Sequence, residues 1–133
     1  RYTCKGGLEM DTPATPVIYL SVDLKKNRIR IHKAPLHQMG DPPYIQLLVH
    51  PERMEVAIRG VDYDAPQVQA HKVSQSKMLS DFSYEIYSMA FVKKLCALTG
   101  NLDTNCSYRM AGTISPEKRL AVFSLKTLKR IEG

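Results

Sequence analysis

The stretch YIQLLVHPERMEVAI, from Tyr44 to Ile58, decides the fold, because a similar stretch, YRMAGTISPEKRLAVFSL, follows from Tyr108 to Leu125. Both stretches are rich in the β-branched and aromatic residues that favour strands, on either side of a turn. The turn reads His-Pro-Glu-Arg at 50–53 and Ser-Pro-Glu-Lys at 115–118. A strand-turn-strand pattern that occurs twice predicts an internal repeat, which determines architecture more than any single element does.

Each of these hairpins comes after a predicted helix that ends at a glycine. In the first half, Pro35 fits the first turn of a short helix, and Gly40 closes it. In the second half, Ser88 is a candidate N-cap for a longer helix over Met89–Leu98, which stops at Gly100. The strands predicted before these two helices are Arg28–Ile31 and Tyr84–Tyr87.

This order of elements predicts a mixed β fold with short helices, of the α+β class: a small β-barrel made of two tandem strand-helix-hairpin units. At 133 residues the chain fits a single domain. Val68 and Val73 favour one further short strand between the units. The predicted divisions are a flexible N-terminal arm at 1–16, units at 17–60 and 82–128, and a linker at 61–81.

Composition indicates a soluble globular protein with a basic surface. Hydrophobic residues make up 44% and charged residues 24%, which matches globular domains and not disordered chains. A net charge of +6 would attract polyanions, of which nucleic acid is the commonest, although a solvated basic surface explains it as well. The sequence has no apolar run as long as a membrane span and does not start like a signal peptide, so we expect a cytoplasmic protein with no membrane partner.

Five cations cluster on the predicted tip and outer strand of the first hairpin. They are Lys25, Lys26, Arg28, Arg30 and Lys33. Alternation places Ile29 and Ile31 on an apolar core face, and Arg28 and Arg30 on the opposite face. Cations this close can neutralise adjacent phosphates, and the released counterions make such binding sensitive to salt. The alternative is an exposed hairpin whose charges only prevent pairing at its edge.

Other conspicuous residues have a structural interpretation. A second group of cations either extends the basic patch or, as we favour, solvates the surface: Lys93, Lys94, Lys126, Lys129 and Arg130. Aromatic residues on strands more often pack than stack on bases, and we apply this to Tyr44, Tyr84, Tyr87 and Tyr108.

The chain lacks the motifs of catalytic and metal sites. Cys4, Cys96 and Cys106 include no C-x-x-C pair, and Cys96 lies in an apolar helical run that predicts a buried thiol. His32 and His37 are not spaced to share a helical face, as a metal pair would be. Without a phosphate-binding glycine loop or a nucleophile motif, we predict no metal, no cofactor and no enzymatic activity.

The run NRIRIHKAPLHQMG, from Asn27 to Gly40, resembles the signature of the AbrB and MazE family of swapped-hairpin DNA-binding domains. That signature has a small turn residue, an arginine, an alternating apolar strand, a proline and a short helix with a closing Leu-Gly. The resemblance continues to Gly60, with the second unit as a diverged copy. It implies DNA binding and regulation of transcription, with Arg28 at a DNA-contacting position.

In that family two chains interlock their hairpins to close one barrel. The resemblance therefore implies that this chain closes the barrel within itself, as a monomeric pseudo-dimer, or forms a homodimer. A different function stays open at this point. The chain is alternatively a protein-interaction module, such as an antitoxin-like or phage- or plasmid-borne accessory protein, that binds a partner through a strand edge or the N-terminal arm.

Overall fold

A computed structural model describes residues 17–62, 70–73 and 83–131; the predicted arm at 1–16 lies outside these ranges. The strands are β1 (Ile18–Asp23), β2 (Arg28–His32), β3 (Tyr44–His50), β4 (Glu55–Val61), β5 (Ala70–Lys72), β6 (Ser83–Tyr87), β7 (Ser107–Ser115), β8 (Leu120–Ser124) and β9 (Lys129–Ile131). The α-helices are α1 (Lys33–Gln38) and α2 (Met89–Thr99), and short 3-10 turns cover Pro51–Arg53, Pro116–Lys118 and Leu125–Thr127. Neither helix in the described part of the chain is long and apolar enough to cross a membrane.

The strands form one antiparallel, barrel-like sheet that is nearly closed. Its order is β5-β3-β4-β8-β7-β1-β2-β6, and β9 pairs with the first part of β7. The two ends of this order meet where the Tyr84 hydroxyl of β6 donates a 2.5 Å hydrogen bond to the Lys72 carbonyl of β5. The prediction of a small β-barrel with short helices is confirmed.

Alternating side chains fill the interior of this sheet. Ile29 and Ile31 of β2 are buried, whereas Arg30 between them is exposed, as the alternation predicts. The other fully buried residues include Leu20, Leu36, Ile45, Ile58, Leu95, Met110 and Phe123. Each of these large side chains contributes about 1.5–3 kcal/mol through burial. The core is shared by strands and helices from both halves of the chain.

The ends of α2 also follow the sequence prediction. The Ser88 hydroxyl accepts a hydrogen bond from the Phe91 N–H at 3.2 Å, which satisfies one of the free donors at the start of the helix. Gly100 ends the helix with φ of 80°, in the left-handed region where glycine carries no steric penalty.

The two predicted hairpins have matching backbone geometry. The 3-10 turn of each hairpin, Pro51–Arg53 or Pro116–Lys118, is followed by a left-handed residue, Met54 with φ of 54° or Arg119 with φ of 53°. Aligning the turns makes Ala57 equivalent to Val122, and these two residues pair directly in the sheet. Strands β4 and β8 therefore cross at an approximate twofold axis.

Two hydrogen bonds outside the regular ladder obey the same symmetry. The Gly60 N–H donates to the Arg119 carbonyl at 2.8 Å, and the Leu125 N–H donates to the Met54 carbonyl at 2.8 Å. Under the alignment of the turns, Gly60 is equivalent to Leu125 and Met54 to Arg119. Each half thus makes the same bond to the other half.

Each half also completes the sheet of the other half. Strand β1 pairs with β7 of the second half, and β5 pairs with β3 of the first half. Strand β2 pairs with β6, so that the middle residues of these strands, Arg30 and Glu85, lie opposite each other. Strand β5 falls within the predicted linker at 61–81. It pairs with β3 as β1 pairs with β7, so it is the counterpart of β1 in the second half.

Candidate nucleic-acid interface

The structure separates the five cations that the sequence grouped. Lys25 and Lys26 are exposed in the turn between β1 and β2. Their backbone N–H groups donate to Oδ1 of Asp23 at 3.1 and 3.3 Å, which fixes the turn. Lys33 is the first residue of α1, at the opposite end of β2 from this turn. It therefore lies apart from the other four.

Arg28 and Arg30 lie on the outside of the sheet, but carboxylates bind both of them. Arg28 is 3.3 Å from Oδ2 of Asp23 and 3.9 Å from Oε2 of Glu85. Arg30 donates to the same Glu85 oxygen from Nε at 3.0 Å and from Nη2 at 2.5 Å. Two carboxylates thus balance the two arginines, which lowers the positive potential expected from the sequence.

The sheet register brings further cations onto the same side. Lys129 lies opposite Arg109, Arg109 opposite Ser21, Ser21 opposite Arg30, and Arg30 opposite Glu85. At a strand spacing of about 4.8 Å, this row across β9, β7, β1, β2 and β6 is about 19 Å long. We call the solvent side of these five strands the outer face.

An aromatic side chain accompanies the second arginine of that row. The guanidinium carbon of Arg109 lies 4.6 Å from the centre of the Tyr19 ring, a cation–π contact. Tyr19 is 41% exposed. Together with Ala111, Thr127 and Lys129 these residues line a groove of about 320 Å³. A smaller groove of about 150 Å³ adjoins it on β1, bordered by Ser21, Ser107 and the two arginines of β2.

The sequence predicts that the strand tyrosines pack in the core or across strands. Tyr84 and Tyr108 are buried in the core, and Tyr44 is half-buried. Tyr87 lies outside the core, where it is 59% exposed on the outer face, directly opposite Arg28. The outer face therefore carries two exposed tyrosines, one at each side of the row of charges.

Sequence reasoning missed Tyr19 and Arg109, and for Lys129 it favoured surface solvation over an extension of the basic patch. A local signal existed for Arg109, because it lies at a polar position of the alternating strand Tyr108–Ile114. Its neighbours Tyr19 and Lys129 are brought there by pairings β1–β7 and β9–β7, which have no local signature.

A separate concave region lies between strand β3 and helix α2, away from the five strands of the outer face. Its volume is about 530 Å³. It is lined by Leu47, Leu48, Val49, Pro51, Lys94, Ala97 and Leu98. The lining is mostly apolar, unlike that of the outer face.

One cysteine and one histidine away from the outer face have shifted pKa values. Burial raises the pKa of the half-buried Cys96 thiol, which disfavours the reactive thiolate. Desolvation lowers the pKa of His71, which lies opposite the buried Ile45. Across residues 17–62, 70–73 and 83–131, no group of three or more metal-binding side chains comes together.

Comparisons with protein-family models, curated proteins and solved structures find no match to this chain. The resemblance of the Asn27–Gly40 run to a DNA-binding family therefore stays a prediction.

Proposed function

We propose that this chain is a non-enzymatic DNA-binding protein that contacts phosphates through the outer face and the adjoining turn. The observation that supports this best is the register that aligns Lys129, Arg109 and Arg30 in one row. Cations at neighbouring strand positions can contact successive phosphates of one nucleic-acid backbone. The turn with Lys25 and Lys26 adds two exposed charges at the edge of this surface.

The contributions of these cations differ. Lys25, Lys26, Arg109 and Lys129 are exposed, and we assign the main phosphate contacts to them. Arg28 and Arg30 contribute less in the free protein, because Asp23 and Glu85 already bind them. Lys33, at the far end of β2, is not part of the proposed contact surface.

We further propose that the barrel is a swapped-hairpin barrel of the AbrB and MazE kind, fused into one chain by duplication. The exchange of β1 and β5 between the halves and the pairing of Ala57 with Val122 support this. A fused pair has no need of a second chain to close its sheet, so the chain acts as a monomeric pseudo-dimer.

Replacing Glu85 with glutamine is expected to strengthen nucleic-acid binding several-fold. The carboxylate that binds Arg30 loses its charge, so the Arg30 guanidinium becomes available to phosphates, while Asp23 still holds Arg28. Each extra phosphate contact steepens the dependence of log affinity on log salt by about 0.7–0.9. Fluorescence anisotropy with a labelled oligonucleotide, between about 50 and 200 mM salt, measures both quantities.

The matched control is Glu117→Gln, which makes the same change in net charge on the exposed turn Pro116–Lys118. We expect this variant to bind almost as the wild type does. Equal affinities and slopes for the two variants would show that Glu85 does not restrain a contact surface. Binding of the wild type that is insensitive to salt would contradict the proposed function itself.

Protein binding is the second candidate function, and the apolar groove between β3 and α2 favours it. Leu47, Val49 and Leu98 give this groove an apolar lining, and Lys94 at its side suits a partner segment with a nearby acidic residue. An electrophoretic assay at low salt separates the two functions. If duplex and single-stranded DNA both fail to shift with micromolar protein, protein binding becomes the preferred function.

A further inference from the structure

We propose that the outer face selects single-stranded nucleic acid over duplex, an inference that rests on the proposed function and names its ligand class. Tyr19 and Tyr87 are 41% and 59% exposed, and each lies beside a cation, Arg109 for Tyr19 and Arg28 for Tyr87. Exposed aromatic rings interspersed with cations are the chemistry that unpaired bases recognise, since every base has a face that stacks. The two tyrosines thus add a base-binding function to a phosphate-binding surface.

The Tyr19 side supplies the first stacking position. Arg109 lies over the Tyr19 ring, and both line the groove of about 320 Å³ next to Lys129. Bases stack on arginine guanidinium planes as well as on aromatic rings. A volume at the lower end of the range for small-ligand sites accommodates one unstacked base. Lys129 stands beside it to contact the phosphate.

The Tyr87 side supplies the second position. Tyr87 lies opposite Arg28 on the neighbouring strand, and Tyr19 is two strands away and four residues along. With strands about 4.8 Å apart and a rise of about 3.4 Å per residue, the Cα atoms of the two tyrosines are roughly 17 Å apart. The row containing Ser21 and Arg30 crosses the space between them. A single strand that spans both rings would therefore run its backbone past the cations of this row.

The same surface is poorly suited to duplex DNA. A duplex exposes the edges of its bases in the grooves and hides their faces, so exposed tyrosines on a sheet surface gain no stacking partner. Reading a groove needs a projecting helix or ribbon, whereas Arg28 and Arg30 are held along the sheet by Asp23 and Glu85. The cations still attract a duplex, but only through phosphates.

The test compares a labelled oligothymidine, an oligouridine of equal length and a duplex of equal length by fluorescence anisotropy, with the full chain. We expect at least one single strand to bind about tenfold or more tightly than the duplex. Tyr19→Ala and Tyr87→Ala should each weaken single-strand binding by roughly 5- to 150-fold and leave duplex binding nearly unchanged. The salt slope should stay the same, because stacking releases no counterions.

Matched variants separate stacking from damage to the fold. Tyr19→Phe and Tyr87→Phe keep the ring and should bind like the wild type, while thermal unfolding verifies that all variants fold. Duplex binding as tight as single-strand binding, or alanine variants that bind single strands normally, would overturn the inference and leave the proposed function standing. Failure of all three ligands to bind at low salt would overturn the proposed function.

Discussion

A variant in which Lys25, Lys26 and Arg109 are all replaced by glutamate is expected to lose nucleic-acid affinity by a factor on the order of 100 or more. The variant removes three exposed cations from the outer face and its turn and puts carboxylates in their place. Like charges brought together at an interface cost several kcal/mol, and each 1.4 kcal/mol is a factor of ten in affinity. Anisotropy titrations at low salt measure the loss.

The control must change the net charge equally at a different place. Lys93 and Lys94 of α2 and Lys118 of the second 3-10 turn are exposed and lie off the outer face. Their triple replacement by glutamate should weaken binding far less, by no more than the general effect of net charge. Equal losses in the two triple variants would mean that the protein attracts polyanions without a defined surface.

Replacing Gly112 with alanine is expected to destabilise the barrel by about 3 kcal/mol or more, the upper part of the range for overpacked cores. Gly112 of β7 lies opposite Phe123 of β8, whose ring is fully buried. A Cβ at Gly112 would be 2.0 Å from the Val122 carbonyl oxygen and 2.7 Å from the Phe123 ring. Backbone cannot yield as a flexible side chain can, so β7 and β8 would have to separate. Urea unfolding followed by circular dichroism measures the change in the free energy of unfolding.

Gly40→Ala is the matched control for this variant. Gly40 has φ of 85° and no atom within 4 Å of an added Cβ, so alanine there meets backbone strain without a clash. That strain costs about 1–2 kcal/mol. A Gly112→Ala protein as stable as Gly40→Ala, or more stable, would show that β7 and β8 do not pack as closely as described.

The elements that sequence predicted well are those specified by local patterns. Alternation in Arg28–Ile31 placed the isoleucines inside and the arginines outside, and Ser88 and Gly100 marked the ends of α2. The repeated Pro-Glu-basic turn gave both hairpins, because proline at the start of a 3-10 turn is a local preference. Strand β5 is only three residues long, and the sequence indicated it only through Val68 and Val73, which lie on either side of it in the chain.

The composition of the candidate site depended on pairings between distant parts of the chain. Nothing local indicates that Glu85 lies opposite Arg30, so the cluster of cations was predicted without the carboxylates that balance it. Tyr19 and Arg109 meet only because β1 pairs with β7. Which strands pair, and in which register, depends on how all the strands of the sheet pack together. A one-residue change of register would turn each of these side chains to the other face of the sheet. The residue types predicted a basic surface, but the strand pairing determined which cations, carboxylates and tyrosines lie together on it.

The central claim, that the outer face is the nucleic-acid-binding surface, is tested most directly by an amide NMR titration with a short oligonucleotide at low salt. We expect the largest shifts on Tyr19, Tyr87, Arg109 and Lys129 of the outer face and on Lys25 and Lys26 of the adjoining turn, with little change elsewhere. Shifts confined to the β3–α2 groove, with the outer face unchanged, would contradict it.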